Sequence, residues 1–306
     1  MKIDFLRLGR LLSPEIEFFK QRTISHASNP VVVPLCETLC RLFFNARDER
    51  NRSEVYSLDF DISTFKVVEG SLKQQLGVGL STPSYCRDGI SLGSYFELNS
   101  KKYLGFMGWH VPAGQHWVGE IGLLELDDRL NVVELGRSPW IPISDEDPIS
   151  LSYPEVTFEN DRTFVWYGTT KSWDAGNGEM LHVIERSEIS PTGKVSKTHT
   201  TVDFVLGKAQ AFSRPSFVKF QNVNLLGYSV RGNSDKYRIA IREVTYSDSY
   251  CNFESAFSFE PEGSDWESEM VEYPFLFKFK EKLYMFYNGN GYGKTGIGVC
   301  QLLISD

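Results

Sequence analysis

Five segments of the chain alternate hydrophobic and polar residues in the same order. Each has an X-Pro dipeptide, an alternating run, a short polar turn and a second, aromatic-rich alternating run, except that the second segment has Ser91-Leu92 in place of X-Pro. The equivalent positions Pro30, Leu92, Pro154, Pro215 and Pro274 are 62, 62, 61 and 59 residues apart. Because a period of two is typical of strands that bury one face, each segment predicts a β-hairpin.

Further strand candidates follow each hairpin, and no helical period lies between them. They are EVYSLDFDI, VGEIGLLELD, MLHVIERSEI, YRIAIREVTY and GIGVCQLLI. Five like units of about four strands predict an all-β, five-bladed β-propeller that covers residues 1–306 as a single domain. The segment KIDFLRLG, within about residues 1–10, is predicted to close the last blade. A two-sheet sandwich is the alternative, but it gives no reason for a period of about 60 residues.

The glycine-rich segment YNGNGYGKTG, residues 287–296, is one residue short of the phosphate-loop signature G-x-x-x-x-G-K-[ST]. A phosphate loop needs glycine at the position of Asn288 and a helix after Thr295, whereas GIGVCQLLISD has β character. We therefore predict a turn between the second and third strands of the fifth unit. Its glycines would permit positive φ and a close backbone approach.

Composition and charge exclude several classes of partner. The net charge is −8 and no long basic run appears, so we do not expect nucleic-acid binding. No apolar run reaches the roughly 18 residues of a membrane span, and the N-terminus lacks the apolar core of a signal peptide. The five cysteines form no tight cluster, which favours free thiols in a cytoplasmic protein over disulfides or a zinc site. No cofactor or metal motif stands out, so none is expected.

Residues beside the X-Pro dipeptides and residues 16 to 17 positions later are predicted to share one mouth of the propeller, because the second strand returns to the face where the first begins. At the X-Pro end the candidates are His26, Asn29, Asp88, Glu155, Arg214 and Glu272. At the returning end they are Arg47, Trp109, His110, Lys171, Trp173, Arg231, Asn288, Asn290 and Tyr292. Solvent at strand ends explains polar residues there, but the mixture of carboxylates, guanidiniums and large aromatics predicts a binding pocket.

The motifs NP, DGISLG, RPSFV and EYPFLF…YMFYNGNGYG resemble the five-bladed glycosidase superfamily. That superfamily contains the family 43 arabinanases and xylosidases and the family 32 invertases. More closely, the chain is similar to bacterial glycosidase-like propellers associated with surface-polysaccharide synthesis and to the N-terminal propeller of plant glucosamine inositolphosphorylceramide transferases. The resemblance spans nearly the whole chain. It implies a carbohydrate-active enzyme that acts on a glycan or activated sugar in cell-surface polysaccharide metabolism, with a polysaccharide-synthesis enzyme as a partner.

Catalytic members of that superfamily carry a carboxylate base in the DP of the first blade, a carboxylic acid in another blade, and an aspartate that orients them. This chain has Asn29 at the base position, and asparagine cannot act as a general base. The remaining candidates are Asp88, Glu272 and, next, Glu155, and two carboxylates across one sugar would satisfy hydrolysis. Each also has a structural explanation. Asp88 could belong to an Asp-Gly turn, Glu272 could pair with an arginine of a neighbouring blade, and the Glu155 side chain could point away from the axis.

Four basic candidates would make the mouth positive in an acidic protein: Arg47, Lys171, Arg214 and Arg231. The hypothesis is a sugar ligand with an anionic group, such as a uronic or nonulosonic acid, a sugar phosphate or a sugar nucleotide, held by Arg214 and Arg231. The side chains expected to stack on sugar rings are those of Trp109, Trp173 and Tyr292. Glycosyl transfer or phosphorolysis is compatible with the absence of a carboxylate base at position 29, because phosphate or a leaving nucleotide could share the chemistry. The alternatives are a non-catalytic glycan- or partner-binding propeller, which Asn29 favours, and a scaffold without a small-molecule site.

Overall fold

The computed structural model describes residues 1–159, 161–173, 181–201, 211–232, 235–246, 251–263 and 265–305. The chain begins with a long strand, β1 (Lys2–Leu12), and a short helix, α1 (Glu17–Arg22). The first repeat unit contains β2 (Ser25–Pro34), β3 (Leu39–Arg47) and β4 (Ser53–Asp61), with β5 (Lys66–Val67) and β6 (Lys73–Leu76) both paired to β4. A 3₁₀ turn, Ser84–Cys86, leads to the second unit.

The remaining units follow the same plan. The second unit contains β7 (Gly89–Leu98), β8 (Lys101–His110), β9 (Val118–Leu126) and β10 (Val132–Leu135). The third contains β11 (Leu151–Glu159), β12 (Arg162–Ser172), β13 (Leu181–Ile189) and β14 (Val195–Thr201), and the fourth contains β15 (Ala211–Phe220), β16 (Val223–Arg231), β17 (Arg238–Tyr246) and β18 (Cys251–Phe259). The fifth contains β19 (Glu272–Phe279), β20 (Lys282–Asn288), a helical turn α2 (Asn290–Gly293) and β21 (Ile297–Ser305).

Consecutive strands within a unit pair antiparallel, and each of the five predicted hairpins is present. The N-terminal strand β1 pairs with β21, from Lys2 opposite Ser305 to Leu12 opposite Ile297, and gives the fifth unit its fourth strand. The first strands β2, β7, β11, β15 and β19 contact one another in cyclic order, and β19 returns to β2. The prediction of an all-β chain is confirmed.

The hydrophobic core lies between neighbouring units. One cluster joins the fifth unit to the first, where the rings of Phe60 and Phe286 meet edge to face with centroids 5.7 Å apart. Another joins the second unit to the third and includes Phe96, Ile121 and Tyr167. Each fully buried large apolar side chain contributes about 1.5–3 kcal/mol relative to its exposed state. The units are therefore stabilised mainly by their neighbours, which holds the strand ends of different units in fixed relative positions.

The glycine-rich segment near the C-terminus is a turn, as predicted. Strand β20 ends at Asn288 and β21 begins at Ile297, with no helix after Thr295. The φ angles of Gly291, Gly293 and Gly296 are 64°, 83° and 113°. A Cβ atom at Gly293 would lie 2.4 Å from the carbonyl oxygen of Ala27 in the first unit. Glycine is needed here for backbone conformation and for close approach of the fifth unit to the first.

Four cysteines fall in the part of the chain whose side chains are described, and all four are free: Cys36, Cys40, Cys86 and Cys300. Cys36 is exposed and the other three are buried. Among the described residues, no helix has the length and apolar character needed to cross a membrane.

Candidate functional site

The first strand of every unit has an irregularity in its pairing near the X-Pro dipeptide or its equivalent. Four residues that precede proline have a left-handed backbone, with φ of 53° at Asn29, 42° at Tyr153, 52° at Arg214 and 54° at Tyr273. This conformation is uncommon for residues other than glycine and costs about 1–3 kcal/mol each. Its recurrence indicates that the bulge is part of the repeat, and a bulge changes which side chains face the axis.

A cavity of about 540 Å³ lies where the five units meet, and every unit contributes to its wall. Its charged and aromatic lining consists of Arg47, Trp109, His116, Trp117, Tyr153, His182, Arg231, Tyr237, Tyr273 and Tyr292. Ser91, Ser152 and Ser213 also line it. None of the described residues that line the cavity is an aspartate or a glutamate. This axial cavity is therefore aromatic and positively charged, although the chain as a whole is acidic.

Four tyrosines form one continuous wall of the axial cavity. The ring centroids of Tyr153 and Tyr273 are 5.0 Å apart, and Tyr237 lies 6.2 Å from both Tyr273 and Tyr292. Burial raises the pKa of Tyr153, Tyr237 and Tyr273, so these phenols are neutral at physiological pH. Tyr237 lies outside the predicted set because it precedes β17 in a loop that no repeat position marks.

Four of the predicted residues line the axial cavity: Arg47, Trp109, Arg231 and Tyr292. Arg47 donates a hydrogen bond of 2.9 Å to the Asn51 amide oxygen and makes no ion pair with any described residue. The Arg231 guanidinium lies 5.4 Å from the centroid of the Tyr237 ring. These two arginines bring positive charge into the cavity from the first and the fourth unit.

Trp173 lies beside the cavity lining through its ring contacts. Its ring stacks on that of His116, with centroids 4.5 Å apart and planes 19° apart, and meets Trp117 edge to face at 5.3 Å. Both partners line the cavity. Trp173 therefore holds two of the aromatic groups of the mouth in place.

Glu272 is completely buried and does not line the axial cavity, although the next residue, Tyr273, does. Neither of its carboxylate oxygens makes a hydrogen bond of normal geometry with a described residue. It stands two residues before Pro274, as Ser152 and Ser213 stand two residues before Pro154 and Pro215, and both serines line the cavity. Burial raises the pKa of Glu272 well above its ordinary value, against the opposing effect of the Arg47 guanidinium and smaller effects of Asn288 and the Tyr292 backbone N–H. Burial therefore favours the neutral, protonated form of the Glu272 carboxyl group.

Two buried asparagines lie near this carboxyl group. The Asn29 backbone N–H donates to the Asn288 side-chain oxygen at 3.0 Å. The Asn288 Nδ2 makes no hydrogen bond of normal geometry with the described residues. The Asn29 Nδ2 donates to the Asn45 side-chain oxygen at 3.0 Å, and its own Oδ1 has no described partner. None of Glu272, Asn29 and Asn288 lines the axial cavity. Because most buried polar groups are hydrogen-bonded, their unsatisfied atoms mark this buried polar cluster as unusual.

Arg214 does not line the cavity, and its predicted role as an anion ligand does not match its contacts. Its five N–H groups donate to the carbonyl oxygens of Pro30, Leu92, Gly93, Tyr273 and Pro274, at 2.7–3.3 Å. Only 1 % of the residue is exposed. Burial lowers the pKa of Arg214 to about 10, so it remains charged at physiological pH. It connects the first strands of the first, second and fifth units to that of the fourth.

Glu155 is likewise placed outside the cavity. Its Oε1 accepts the Phe217 backbone N–H at 3.1 Å, across the boundary between the third and fourth units. Ser94 and Ser216 accept the backbone N–H groups of Val156 and Leu276 across the two adjacent boundaries in the same way. Burial raises the pKa of Glu155 to about 8. Glu155 therefore joins neighbouring units, and the bulge directs it away from the axis.

Asp88 and Lys171 are also absent from the lining of the axial cavity. Asp88 accepts the Val111 backbone N–H at 2.7 Å and lies 3.5 Å from the Arg87 guanidinium, just before β7 and close to the end of β8. Lys171 is 3.4 Å from Asp147 and 2.5 Å from Glu185. The two-carboxylate arrangement predicted from Asp88 and Glu272 is thus not assembled in the cavity, and the positive charge of Lys171 already has two acidic partners.

Three further candidates lie outside the cavity. His26 is hydrogen-bonded to the Ser25 hydroxyl at 2.9 Å, and burial, with the charges of Arg47 and Lys294, lowers its pKa to about 4. His110 follows Trp109 on β8, where alternate side chains face opposite sides of the strand. Asn290 accepts the Glu269 and Met270 backbone N–H groups at 2.8 and 3.1 Å, so it holds the turn together.

His182 is another residue that lines the cavity and was not predicted from the sequence. Its two ring nitrogens contact the hydroxyls of Ser152 at 2.7 Å and Thr170 at 2.9 Å. Burial, followed by the charges of Lys171 and Arg231, lowers the pKa of His182 to about 3, so it is neutral. It lies at the start of a third strand, where the repeat shows no marker. Among the described residues, no group of three or more His, Cys, Asp or Glu side chains has the geometry of a metal site.

The chain was compared with known proteins. No protein-family profile matches it. Two proteins named only as uncharacterized, one from each of two Mycobacterium tuberculosis strains, are 29 % identical over 311 residues, which cover 97 % of this chain and 98 % of each relative. These relatives have nearly the same length as this chain but supply no activity.

Solved structures give the fold. A glycoside hydrolase superposes with a TM-score of 0.75 at 10 % identity, covering 98 % of this chain and 92 % of the other. A thermostable family-43 glycoside hydrolase has a TM-score of 0.64 at 13 % identity, with 92 % and 91 % covered. A family-43 enzyme of Xanthomonas citri, complexed with xylose, has a TM-score of 0.62 at 11 % identity, with 98 % and 91 % covered. The chain therefore has the fold of the family-43 glycoside hydrolases.

Proposed function

We propose that residues 1–306 form a single five-bladed β-propeller in which β1 closes the fifth blade. The cyclic contacts of the five first strands and the pairing of β1 with β21 support this arrangement. The hydrogen bonds of Glu155, Ser94 and Ser216 to the next unit repeat from one boundary to another, as radial packing requires. A two-sheet sandwich offers no equivalent for these repeated boundaries.

The protein is a glycosidase-like, carbohydrate-active enzyme whose axial cavity binds a sugar with an anionic group. The tyrosine wall, together with Trp109 and Trp117, provides flat apolar surfaces that suit sugar rings. Arg47 and Arg231 line the same cavity, and arginine forks suit carboxylates and phosphates. Since none of the described lining residues is an aspartate or a glutamate, these arginines attract an anionic ligand into the cavity.

The observation that carries this proposal is the buried carboxyl group of Glu272, whose oxygens make no hydrogen bond of normal geometry with the described residues. A carboxylic acid that stays protonated at physiological pH is the kind of group that donates a proton to a glycosidic oxygen. When the bond between the anomeric carbon and that oxygen breaks, the proton goes to the leaving oxygen and Glu272 becomes a carboxylate. The Arg47 guanidinium, the Asn288 side-chain amide and the Tyr292 backbone N–H are the groups that favour this charged form.

Among the described residues that line the cavity, no carboxylate is present to activate a nucleophile. Asn29 stands where the family resemblance implies the base, and its amide nitrogen is committed to Asn45. A nucleophile that arrives with its own negative charge, such as a phosphate oxygen or an activated acceptor, needs no such base. Transfer or phosphorolysis of the glycosidic bond fits these residues better than hydrolysis by two carboxylates.

A non-catalytic sugar-binding propeller is the second candidate. It is favoured by the absence of aspartate and glutamate from the described residues that line the cavity. A role in cell-surface polysaccharide metabolism, a cytoplasmic location and association with a polysaccharide-synthesis enzyme stay predictions of the resemblance.

The experiment combines binding with turnover. A panel of neutral sugars, uronic acids, sugar phosphates and nucleotide sugars is screened by thermal shift, and compounds that bind are assayed for glycosidic bond cleavage with water or phosphate. Glu272→Gln is expected to keep affinity within about threefold and to lose at least about 100-fold in turnover. Arg47→Ala is expected to lose anionic ligands selectively, whereas Arg137→Ala, at an exposed site elsewhere, behaves as wild type. Binding by the wild type without any turnover favours the second candidate, and a wild type that binds no member of the panel contradicts both.

A further inference from the structure

A second depression, of about 410 Å³, opens beside the axial cavity at the junction of the first two units. We call it the trough; it is lined by Arg50, Asn51, Arg52, Arg87, Asp88, Trp109 and Val111. Asn51, Trp109 and Val111 also line the axial cavity, so the two spaces adjoin at these residues. The trough continues outward into a groove of about 1110 Å³. A ligand in the cavity can therefore extend outward without crossing a strand.

The trough concentrates positive charge in a chain whose net charge is −8. Among the described residues that line it are three arginines and one carboxylate, that of Asp88, which lies 3.5 Å from the Arg87 guanidinium. Arg50 is exposed and makes no ion pair with any described residue. Arg87 donates to the Val111 carbonyl at 3.0 Å and is half-exposed. Such a cluster in an acidic protein attracts anions more strongly than the average surface does.

The loop that carries these charges is held in shape before any ligand binds. Asp48 accepts the Arg50 and Arg52 backbone N–H groups at 2.9 and 2.8 Å, and its carboxylate also pairs with the Arg52 guanidinium at 2.7 Å. Asn51, between them, accepts a hydrogen bond from Arg47 of the axial cavity. One short loop after β3 thus presents Arg47 to the cavity and Arg50 and Arg52 to the trough.

We propose that the ligand is an acidic oligosaccharide: one sugar occupies the axial cavity, and the next sugar lies in the trough with its anionic group against Arg50 and Arg87. Trp109 lines both spaces and provides a surface for the linkage between the two sugars. The anionic group is a carboxylate, sulfate or phosphate, all of which match the arginine fork. This inference rests on the proposed function, because the first sugar is the one in the cavity.

Calorimetric titration with oligosaccharides of increasing length tests the trough directly. The probes are galacturonic acid and its dimer, trimer and tetramer, neutral xylose oligomers of the same lengths, and sulfated and phosphorylated disaccharides. For the wild type we expect an affinity gain of about tenfold or more from the acidic monomer to the trimer, and no such gain for the neutral series. The Arg50→Ala/Arg87→Ala double variant should lose the gain and keep the monomer affinity, and Arg137→Ala should match the wild type.

The possible results distinguish a failure of the trough proposal from a failure of the proposed ligand site in the axial cavity. If the wild type binds the acidic monomer but its affinity does not rise with oligosaccharide length, the proposed binding in the trough is wrong, and the proposed axial site is not affected. An unchanged gain in the double variant also overturns it, because the added affinity would then come from elsewhere. If no acidic saccharide of any length binds, this inference and the anionic ligand of the axial cavity both fail. The sulfated and phosphorylated probes show which anion the arginines prefer.

Discussion

The Arg214 guanidinium donates a hydrogen bond of 2.7 Å to the backbone carbonyl of Pro30, 184 positions earlier in the chain. Its other N–H groups reach carbonyls of the second and fifth units, so one side chain connects strands that are remote in sequence. Arginine at this position therefore stabilises the ring of first strands rather than a ligand.

The first prediction concerns this residue. Arg214→Ala should lower the free energy of unfolding by at least about 3 kcal/mol, because it leaves several buried carbonyls without donors. Arg214→Lys should recover only part of the loss, since an ammonium cannot reproduce the planar fork. Urea denaturation measures both, with Arg137→Ala as a matched exposed control. A loss below about 1 kcal/mol would assign Arg214 a role other than connecting the units.

The second prediction concerns pH and Glu155. Its folded-state pKa of about 8 lies above its unfolded value near 4.5, so the folded protein binds the proton more tightly. The stability associated with this group is therefore complete below about pH 4.5 and falls as pH rises to about 8, by at most about 1.4 kcal/mol per pH unit. Glu155→Gln keeps an oxygen for the Phe217 N–H and does not ionise. Urea denaturation at pH 5, 7 and 8.5 should show a flatter profile for the variant; a profile parallel to that of the wild type would contradict this account.

The third prediction concerns the missing base. Asn29→Asp should not create a simple hydrolase, because an ionised carboxylate would face the Asn45 oxygen that now accepts the Asn29 amide N–H. We expect a loss of at least about 2 kcal/mol in unfolding free energy at pH 8, and a smaller loss at pH 5, where a protonated carboxyl can donate again. Asn99→Asp, in an exposed turn, is the control. A variant as stable as the wild type at pH 8 would show that the buried polar groups around residue 29 tolerate a negative charge.

The fourth prediction compares Arg47 with Lys171 in their effect on the binding of an anionic sugar. Arg47→Ala should weaken binding of an anionic sugar by about 10- to 100-fold, because a charged hydrogen bond is lost. Lys171→Ala should leave that affinity within about twofold, since Lys171 already pairs with Asp147 and Glu185. Titration of the ligand found in the thermal-shift screen measures both. Equal losses in the two variants would argue against direct contact by Arg47.

The hairpins and the glycine-rich turn could be predicted because period-two alternation records which strand face is buried. The roles of Arg214 and Glu155 could not, since a side chain that bonds neighbouring backbone has the same sequence signature as one that faces a ligand. The irregularity in each first strand decides between these roles, because it shifts the alternation of side chains. Spacing from the prolines did identify Arg47, Trp109, Arg231 and Tyr292 as residues of one mouth.

His182 and Tyr237 show a second reason why part of the site could not be predicted from the sequence. Both line the cavity, but they belong to a third strand and to the loop before one, where the repeat is least regular. Their positions follow from pairing between strands, such as His182 opposite Thr170, which the spacing of single residues does not specify. The position two residues before proline is the most useful sequence signal here, because it marks Ser152, Ser213 and Glu272 together.

The protonation state of Glu272 is the central claim, and difference infrared spectroscopy measures it most directly. Spectra of the wild type minus Glu272→Gln are recorded from pH 5 to pH 9, so that only this carboxyl group contributes. A protonated carboxyl band that persists at pH 7, both in the free protein and with an anionic sugar bound, is the predicted result. An ionised Glu272 at pH 7 in the free protein would contradict the assignment of this residue as a proton donor.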